Sequence, residues 1–149
     1  MNSPDQMGTQ EPAPTVLVVD DNNGVLEFLL LLLSKHGLSV IGASSGDQCL
    51  NIVKSRPVSL IILDVMMPAM DGLEVCRELK KITRSIPIIL LTARDDMTTR
   101  AAAMDLGVSE FVAKPVNNRD LLSRVRIQLR NLEWDKTADQ AFLKVEKAT

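Results

Sequence analysis

The chain reads Leu60-Ile61-Ile62-Leu63-Asp64-Val65-Met66-Met67-Pro68 near its middle. Four consecutive aliphatic residues lead directly into one carboxylate, and such a short apolar run is typical of a strand buried on both faces of a parallel sheet. Asp64 then lies at the carboxyl end of that strand, where open α/β sheets bind ligands. A single aspartate after a strand is more simply explained as the cap of the next helix, so the other strand ends decide its role.

Five apolar runs alternate with segments of helical periodicity along the chain. The predicted strands cover residues 16–19, 39–43, 58–63, 87–91 and 110–113. The predicted helices cover residues 25–36, 46–55, 73–81, 95–106 and 117–132, each with apolar residues at helical spacing. Strands that alternate with helices form βαβ units with right-handed crossovers. The sequence therefore predicts an α/β fold, a doubly wound five-stranded parallel sheet with helices on both faces.

Length and composition are those of one globular domain with tails. The chain has 149 residues, 46% of them hydrophobic and 24% charged, and a formal net charge of −2. We expect a disordered tail at residues 1–14, the domain at residues 15–132, and a helical extension or linker at residues 133–149. The small net charge favours neither nucleic-acid nor membrane binding. No segment is typical of a secretory signal or a bilayer span, so we expect a cytoplasmic protein.

Several classes of catalytic site are excluded by the residues that the sequence lacks. His36 is the only histidine, predicted in the last turn of a helix before Gly37, so zinc sites with several histidines are excluded. Cys49 and Cys76 form no close-spaced ligand pair, which fits a reduced cytosolic chain. The sequence contains neither a Walker A loop nor a G-x-G-x-x-G motif. The candidates for chemistry are therefore the residues at the strand ends.

Four of the five predicted strands end in polar residues of different chemical types. These are Asp20-Asp21, Asp64, Thr92 and Lys114. Because the carboxyl ends of parallel strands lie at one edge of a sheet, we expect these side chains to converge. Each has a simple structural explanation, such as a cap or a solvated lysine, but those explanations do not predict this combination. We therefore interpret the four strand ends as one site.

Three converging carboxylates repel one another and need compensating cations. Two like charges 4 Å apart cost roughly 4 kcal/mol at an effective dielectric constant near 20. Mg²⁺ is a hard cation that prefers oxygen ligands, and together with Lys114 it would balance three negative charges. In such a site Asp64 can act as a carboxylate nucleophile. A phosphoryl group is the electrophile that fits best, because the cations neutralise its oxygens and the Thr92 hydroxyl donates to one of them.

The motifs at these strand ends resemble those of one protein family. They are Asp20-Asp21, Asp64 with Met66-Met67-Pro68 and Asp71-Gly72, Thr92-Ala93, and Lys114-Pro115. Together they resemble the receiver domain of two-component response regulators, over residues 15–132. The resemblance implies a flavodoxin-like sheet with strand order 2-1-3-4-5 and a cis Lys114-Pro115 bond. It also implies a signalling phosphoacceptor rather than an enzyme.

The resemblance assigns roles to individual residues. It implies that Asp64 accepts a phosphoryl group from a phosphohistidine on a sensor histidine kinase or phosphotransfer protein. Asp21, Asp64 and the backbone carbonyl of Met66 would bind Mg²⁺, with Asp20 contributing through water. Lys114 would pair with the carboxylate and then with the phosphoryl group.

The resemblance also pairs Thr92 with an aromatic residue on the fifth strand, which here is Phe111. Phosphorylated Asp64 is expected to draw Thr92 inward, while Phe111 turns into the space that Thr92 leaves. A hydrogen bond to a charged group contributes about 1.5–3 kcal/mol, whereas moving a population from 1:99 to 99:1 needs about 5.5 kcal/mol. Thr92 therefore shares the switch with Lys114 and with repacking near Phe111. The simpler alternative is that Phe111 belongs only to the core.

Three other functions are alternatives. A pseudo-receiver binds partners without phosphorylation, but it would usually have lost an acid, the threonine or the lysine. A phosphatase of the haloacid dehalogenase type needs a second acid two residues after its nucleophile, and this chain has Met66 there. A flavodoxin needs a phosphate-binding loop after its first strand, where Asp20-Asp21 would repel the phosphate.

The partners and the output are less constrained by the sequence. Leu30 and Leu31 fall off the predicted core stripe of their helix, so we expect an exposed apolar patch that docks a kinase or another protomer. Tighter burial of these leucines is the alternative. A chain of this length fits a stand-alone receiver or a receiver cut from a larger regulator or hybrid kinase, without direct nucleic-acid binding. A homodimer is a further expected state.

Overall fold

In the residues that the structure describes, five strands alternate with five helices. The computed structural model describes residues 13–67, 70–93 and 96–132, so the predicted tails at residues 1–12 and 133–149 lie outside it. The elements are β1 Thr15–Val19, α1 Asn23–Lys35, β2 Ser39–Ala43, α2 Gly46–Ser55, β3 Leu60–Asp64, α3 Gly72–Ile82, β4 Ile88–Ala93, α4 Met97–Asp105, β5 Glu110–Lys114, and α5 at residues 118–132. Among these described helices, none has the length and apolar character needed to cross a membrane.

The strands form one parallel sheet in the order β2-β1-β3-β4-β5, which confirms the predicted fold. Val19 of β1 pairs with Leu63 of β3, and Ala93 of β4 pairs with Lys114 of β5. The chain places β2 on one side of β1 and β3 on the other, so the topological switch point lies between β1 and β3. The crevice at the carboxyl ends of these two strands is therefore the expected ligand site.

Alternate side chains of the strands pack against helices on opposite faces of the sheet. On one face, the buried helix residues are Cys49 and Leu50 of α2, Val75, Cys76 and Leu79 of α3, and Ala103 of α4. On the other face, they are Leu26, Leu29 and Leu33 of α1, and Leu121, Leu122 and Val125 of α5. The central strand β3 is buried at all five positions, as its unbroken apolar sequence predicts. The fold thus has three layers, with the sheet in the middle.

Both cysteines contribute to packing rather than to chemistry. Cys49 and Cys76 are free thiols, fully buried among the apolar side chains between the sheet and helices α2 and α3. Burial raises the pKa of Cys49 to about 12 and the pKa of Cys76 to about 11. Since the thiolate is the nucleophilic and metal-binding form, these thiols are unreactive at neutral pH.

A side-chain cap starts each of the five described helices. The capping residues are Asn22, Ser45, Asp71, Asp96 and Asn117, each accepting a hydrogen bond of 2.9 to 3.2 Å from the backbone N–H three residues later. These bonds satisfy N–H groups that lack partners inside the helix. The caps place the start of α1 at Asn23, two residues before the predicted start, and that of α4 at Met97, two residues after it.

Helix α1 confirms one prediction and corrects another. It ends at Lys35, with His36 as its C-cap and Gly37 next at a φ of 83°, as predicted for a glycine after a last helical turn. Leu30, predicted off the core stripe, is in fact partly buried against the core, whereas Leu31 is 54% exposed. Leu30 packs there because Gly42 of β2 has no side chain; a Cβ at that position would lie 2.9 Å from Leu30 Cδ1.

Candidate functional site

Three carboxylates meet at the carboxyl ends of β1 and β3. Asp20 and Asp64 are buried, Asp21 is exposed, and one oxygen of each lies within 4.8 Å of the other two. The position follows from the sheet, because Asp20 comes directly after β1 and Asp64 is the last residue of the neighbouring parallel strand. The structure thus brings together the three acids that the sequence analysis selected.

Asp20 carries an oxygen without a partner. Its Oδ1 accepts a hydrogen bond from the Asn22 N–H at 2.9 Å, but its buried Oδ2 has no hydrogen-bond partner in the described residues. Burial raises the pKa of Asp20; the Asn22 N–H and Lys114 lower it, while Asp64 and Asp21 raise it. Buried polar atoms are normally satisfied, so this oxygen fits a site that holds a cation or a water bound to one. All-oxygen donors of this kind fit Mg²⁺.

The carboxylate of Asp64 is held at one oxygen only. Lys114 Nζ donates to Asp64 Oδ1 at 2.7 Å, and the Met66 N–H donates to the same oxygen at 3.2 Å. The Asp64 side chain is 3% exposed and that of Lys114 is 36% exposed, so the lysine reaches inward from the surface. Asp64 Oδ2 accepts no hydrogen bond from the described residues.

The structure also rejects the simplest explanation of Asp64. The cap of the next helix is Asp71, whose Oδ1 accepts a hydrogen bond from the Glu74 N–H at 2.9 Å. The helix begins close to the strand end, because the Gly72 N–H donates to the Val65 carbonyl at 3.0 Å. A Cβ on Gly72 would lie 2.7 Å from Val65 Cα and 3.0 Å from the Asp64 carbonyl oxygen. Only glycine permits this approach.

Thr92 lies at the end of β4, fully buried, and its hydroxyl is already engaged. The hydroxyl donates to the Ala93 carbonyl at 2.8 Å and accepts a hydrogen bond from Arg100 Nε at 3.3 Å. The guanidinium carbon of Arg100 lies 5.8 Å from the centre of the Phe111 ring. Phe111 is partly buried, so it is neither a plain core residue nor a freely exposed one.

Arg100 is a residue of the site that sequence reasoning missed. It lies on α4, eight residues after Thr92, in a stretch whose charged and polar residues are typical of a solvated helix face. No motif or spacing in the sequence distinguishes it from other arginines. Its contact with Thr92 and Phe111 depends on how α4 packs against β4 and β5.

An apolar groove opens beside Lys114, on the face of the sheet covered by α1 and α5. It has a volume of about 370 Å³, and its lining residues are Gly24, Val25, Phe28, Leu29, Leu91, Lys114, Pro115 and Val116. The Lys114-Pro115 bond that borders it is cis, as the resemblance implies. Phe28 is 50% exposed at this groove. Lys114, which donates to Asp64, therefore also lines this exposed apolar groove.

Comparison with known proteins gives a consistent result. The family model described as "Response regulator receiver domain" matches residues 16–126. The chain is 41% identical over 128 residues to the response regulator MprA of Mycobacterium sp. (strain KMS), covering 86% of this chain and 56% of that protein. It is 43% identical over 130 residues to MprA of Mycobacterium ulcerans (strain Agy99), with coverage of 86% and 56%. The chain spans about half the length of these relatives.

Solved structures agree with these relatives. A response regulator receiver domain protein from Clostridium thermocellum has a TM-score of 0.76 at 30% identity, covering 81% of this chain and 98% of that chain. A response regulator receiver protein from Pseudomonas putida has a TM-score of 0.74 at 31% identity, covering 78% and 98%. The matched region contains every strand-end residue from Asp20 to Lys114. On these grounds the chain belongs to the receiver domain family of two-component response regulators.

Proposed function

We propose that this receiver domain is a phosphoacceptor in which Asp64 takes a phosphoryl group from a phosphohistidine of a sensor histidine kinase or phosphotransfer protein. A carboxylate oxygen of Asp64 attacks the phosphorus atom, so an O–P bond forms while the P–N bond to the histidine breaks. The electron pair of the broken bond stays on the imidazole nitrogen, which takes up a proton. The products are an aspartyl phosphate on the receiver and a free histidine on the donor.

The main observation behind this proposal is that only one of the two carboxylate oxygens of Asp64 accepts hydrogen bonds from the described residues. Lys114 and the Met66 N–H both bind Oδ1, which leaves the lone pairs of Oδ2 available for an electrophile. A carboxylate that served only to balance a lysine or to cap a helix would not need two further acids within 4.8 Å. A bound cation would offset the repulsion between these neighbouring carboxylates.

Asp20, Asp21, Asp64 and the backbone carbonyl of Met66 are the groups that would hold Mg²⁺, with Asp20 acting through water. The bound ion would supply positive charge for the oxygens of the transferring phosphoryl group. Lys114 already lies 2.7 Å from Asp64 Oδ1, and its flexible ammonium group can follow a phosphoryl oxygen after transfer. Ala93 is small and follows Thr92, which keeps the approach to Asp64 open.

Phosphorylation then changes the environment of Thr92 and Phe111. A phosphoryl oxygen on Asp64 attracts the Thr92 hydroxyl as a hydrogen-bond donor, and Phe111 moves toward the space that the threonine leaves. Both residues lie on the face of the sheet that carries α4, so the change is relayed to a partner or output surface there. Because the aligned region covers only 56% of the response regulator MprA, an output domain in a larger regulator is the favoured target of the signal.

A pseudo-receiver is the second candidate, and the intact site argues against it. All of the acids, the threonine and the lysine are present, and the lysine contacts the acceptor aspartate.

The test is incubation with Mg²⁺ and acetyl phosphate, followed by intact mass measurement. We expect one acid-stable, base-labile phosphoryl adduct on the wild type, less adduct without Mg²⁺, and none on Asp64→Asn. Asp71→Asn is the matched control, because asparagine still caps α3 and the adduct should remain. A wild type without adduct would favour the pseudo-receiver, and an adduct on Asp64→Asn would place the acceptor elsewhere. Size-exclusion chromatography of the phosphorylated protein tests the expected homodimer.

A further inference from the structure

Arg100 connects the end of β4 with β5 through one side chain. Its Nε donates to the Thr92 hydroxyl at 3.3 Å, and its guanidinium carbon lies 5.8 Å from the centre of the Phe111 ring. Arg100 and Phe111 are both partly buried, and Thr92 is fully buried. A single cation thus contacts both residues to which the proposed function assigns the conformational change.

The Thr92 hydroxyl has one proton, and it is already in use. The hydroxyl donates that proton to the Ala93 carbonyl at 2.8 Å and uses a lone pair to accept from Arg100 Nε. To donate to a phosphoryl oxygen on Asp64, the hydroxyl must rotate and give up the Ala93 carbonyl. Turning the threonine side chain inward about its Cα–Cβ bond, as the proposed function requires, also moves its oxygen away from Arg100 Nε. The observed orientation and the phosphoryl-bound orientation therefore exclude each other.

Phe111 is coupled to the same event. A guanidinium group within about 6 Å of an aromatic centroid is attracted to the ring. If Phe111 turns toward the space vacated by Thr92, the ring leaves the position in which it faces Arg100. Both contacts of Arg100 thus belong to the unphosphorylated arrangement.

We propose that Arg100 is a positioning residue that holds Thr92 and Phe111 in their unphosphorylated orientations, so that phosphorylation must break its contacts before the receiver switches. The inference rests on phosphorylation of Asp64 and names the residue that opposes its effect. In the absence of a phosphoryl group, Arg100 keeps the population of the switched state low.

The expected effect follows from the two contacts that are lost. A long hydrogen bond together with a partly exposed cation–π contact corresponds to about a five- to tenfold shift in the equilibrium between the two arrangements. Removing them should therefore strengthen the binding of any ligand that requires the switched arrangement by the same factor.

The test measures the affinity of the full chain for beryllofluoride, a phosphoryl mimic, with saturating Mg²⁺. Arg100→Met keeps an unbranched side chain that reaches the position of Nε but removes the donor and the charge, and we expect it to bind about five to ten times more tightly than the wild type. Arg126→Met removes an exposed arginine of α5 and should leave the affinity unchanged. The Arg100 Nε–H resonance should shift when beryllofluoride binds, and in the same direction in unliganded Thr92→Ala.

A double-mutant cycle separates positioning from a general structural effect. In the Thr92→Ala background only the Phe111 contact of Arg100 remains, so Arg100→Met should change the affinity by a smaller factor than in the wild type, whereas Thr92→Ser keeps the hydroxyl and should keep the full effect. Equal affinities of wild type and Arg100→Met, or the same ratio in the Thr92→Ala background, would overturn the role of Arg100 while leaving phosphorylation intact. A wild type that binds no beryllofluoride would overturn the proposed function itself and this inference with it.

Discussion

Asp20 is buried beside two other carboxylates, an arrangement that we expect to lower the folding stability of the metal-free protein. Its Oδ2 is buried without a partner in the described residues, and its charge lies beside those of Asp21 and Asp64. We expect Asp20→Asn to raise the free energy of unfolding of the metal-free protein by about 1 kcal/mol, because the amide removes a charge and still accepts from the Asn22 N–H. Urea denaturation in the presence of a chelator measures this change.

With Mg²⁺ present, we expect the wild type rather than Asp20→Asn to have the higher free energy of unfolding. The wild type is expected to gain more stability from Mg²⁺ than the variant, because a ligand that binds only the folded state stabilises it by an amount that rises with the logarithm of its affinity. Asp21→Asn is the matched control; its carboxylate is exposed, so its removal should stabilise the metal-free protein less. An Asp20→Asn variant that is less stable than the wild type without metal would contradict this account of the acid cluster.

At the scale of the element, the start of α3 fixes the strand end that carries Asp64. Gly72 lies against the backbone of Val65 and Asp64, so Gly72→Ala forces α3 away from β3. We expect a loss of about 1–3 kcal/mol in the free energy of unfolding and slower reaction with acetyl phosphate. Gly24→Ala in the first turn of α1 is the control. Its Cβ would meet only Asn22 Oδ1 at 3.4 Å, so it should be neutral or stabilising. Equal effects of the two substitutions would argue against the close approach.

At the scale of the whole molecule, the apolar groove beside Lys114 is a candidate surface for docking a phosphohistidine donor. Lys114 both lines the groove and donates to Asp64, and Phe28 and Leu31 of α1 are half exposed. We propose that the groove receives a helix of the kinase or phosphotransfer protein. Phe28→Ser should slow phosphotransfer from that donor about tenfold and leave the reaction with acetyl phosphate unchanged.

The measurement compares the two phosphodonors for each variant. The protein donor is chosen from a panel of purified, phosphorylated histidine kinases. The kinase that reacts fastest with the wild type is used for all variants. Met104→Ser is the control, because Met104 is 66% exposed on α4, a helix of the opposite face. Equal transfer rates for Phe28→Ser and the wild type would remove α1 from the docking surface.

Much of the fold could be predicted because its determinants are local. The apolar run before Asp64 predicts a strand buried on both faces, and Ser45, Asp96 and Asn117 mark helix starts by short-range bonds. The meeting of the three acids and Lys114 followed from topology, because parallel strands place their carboxyl ends at one edge; Thr92 lies at the same edge but contacts Ala93 and Arg100. The roles assigned to these residues stay predictions until phosphorylation is measured.

The sequence by itself determined the order of the elements, the edge where the polar residues meet and the family to which the chain is similar. Only the tertiary structure decided which oxygen of Asp64 is held, that Asp71 caps α3, that Leu30 packs over Gly42, and that Arg100 contacts Thr92. The physical reason is the range of the interactions. Periodicity and capping act over a few residues, whereas these contacts depend on how separate helices and strands pack, which no local pattern encodes.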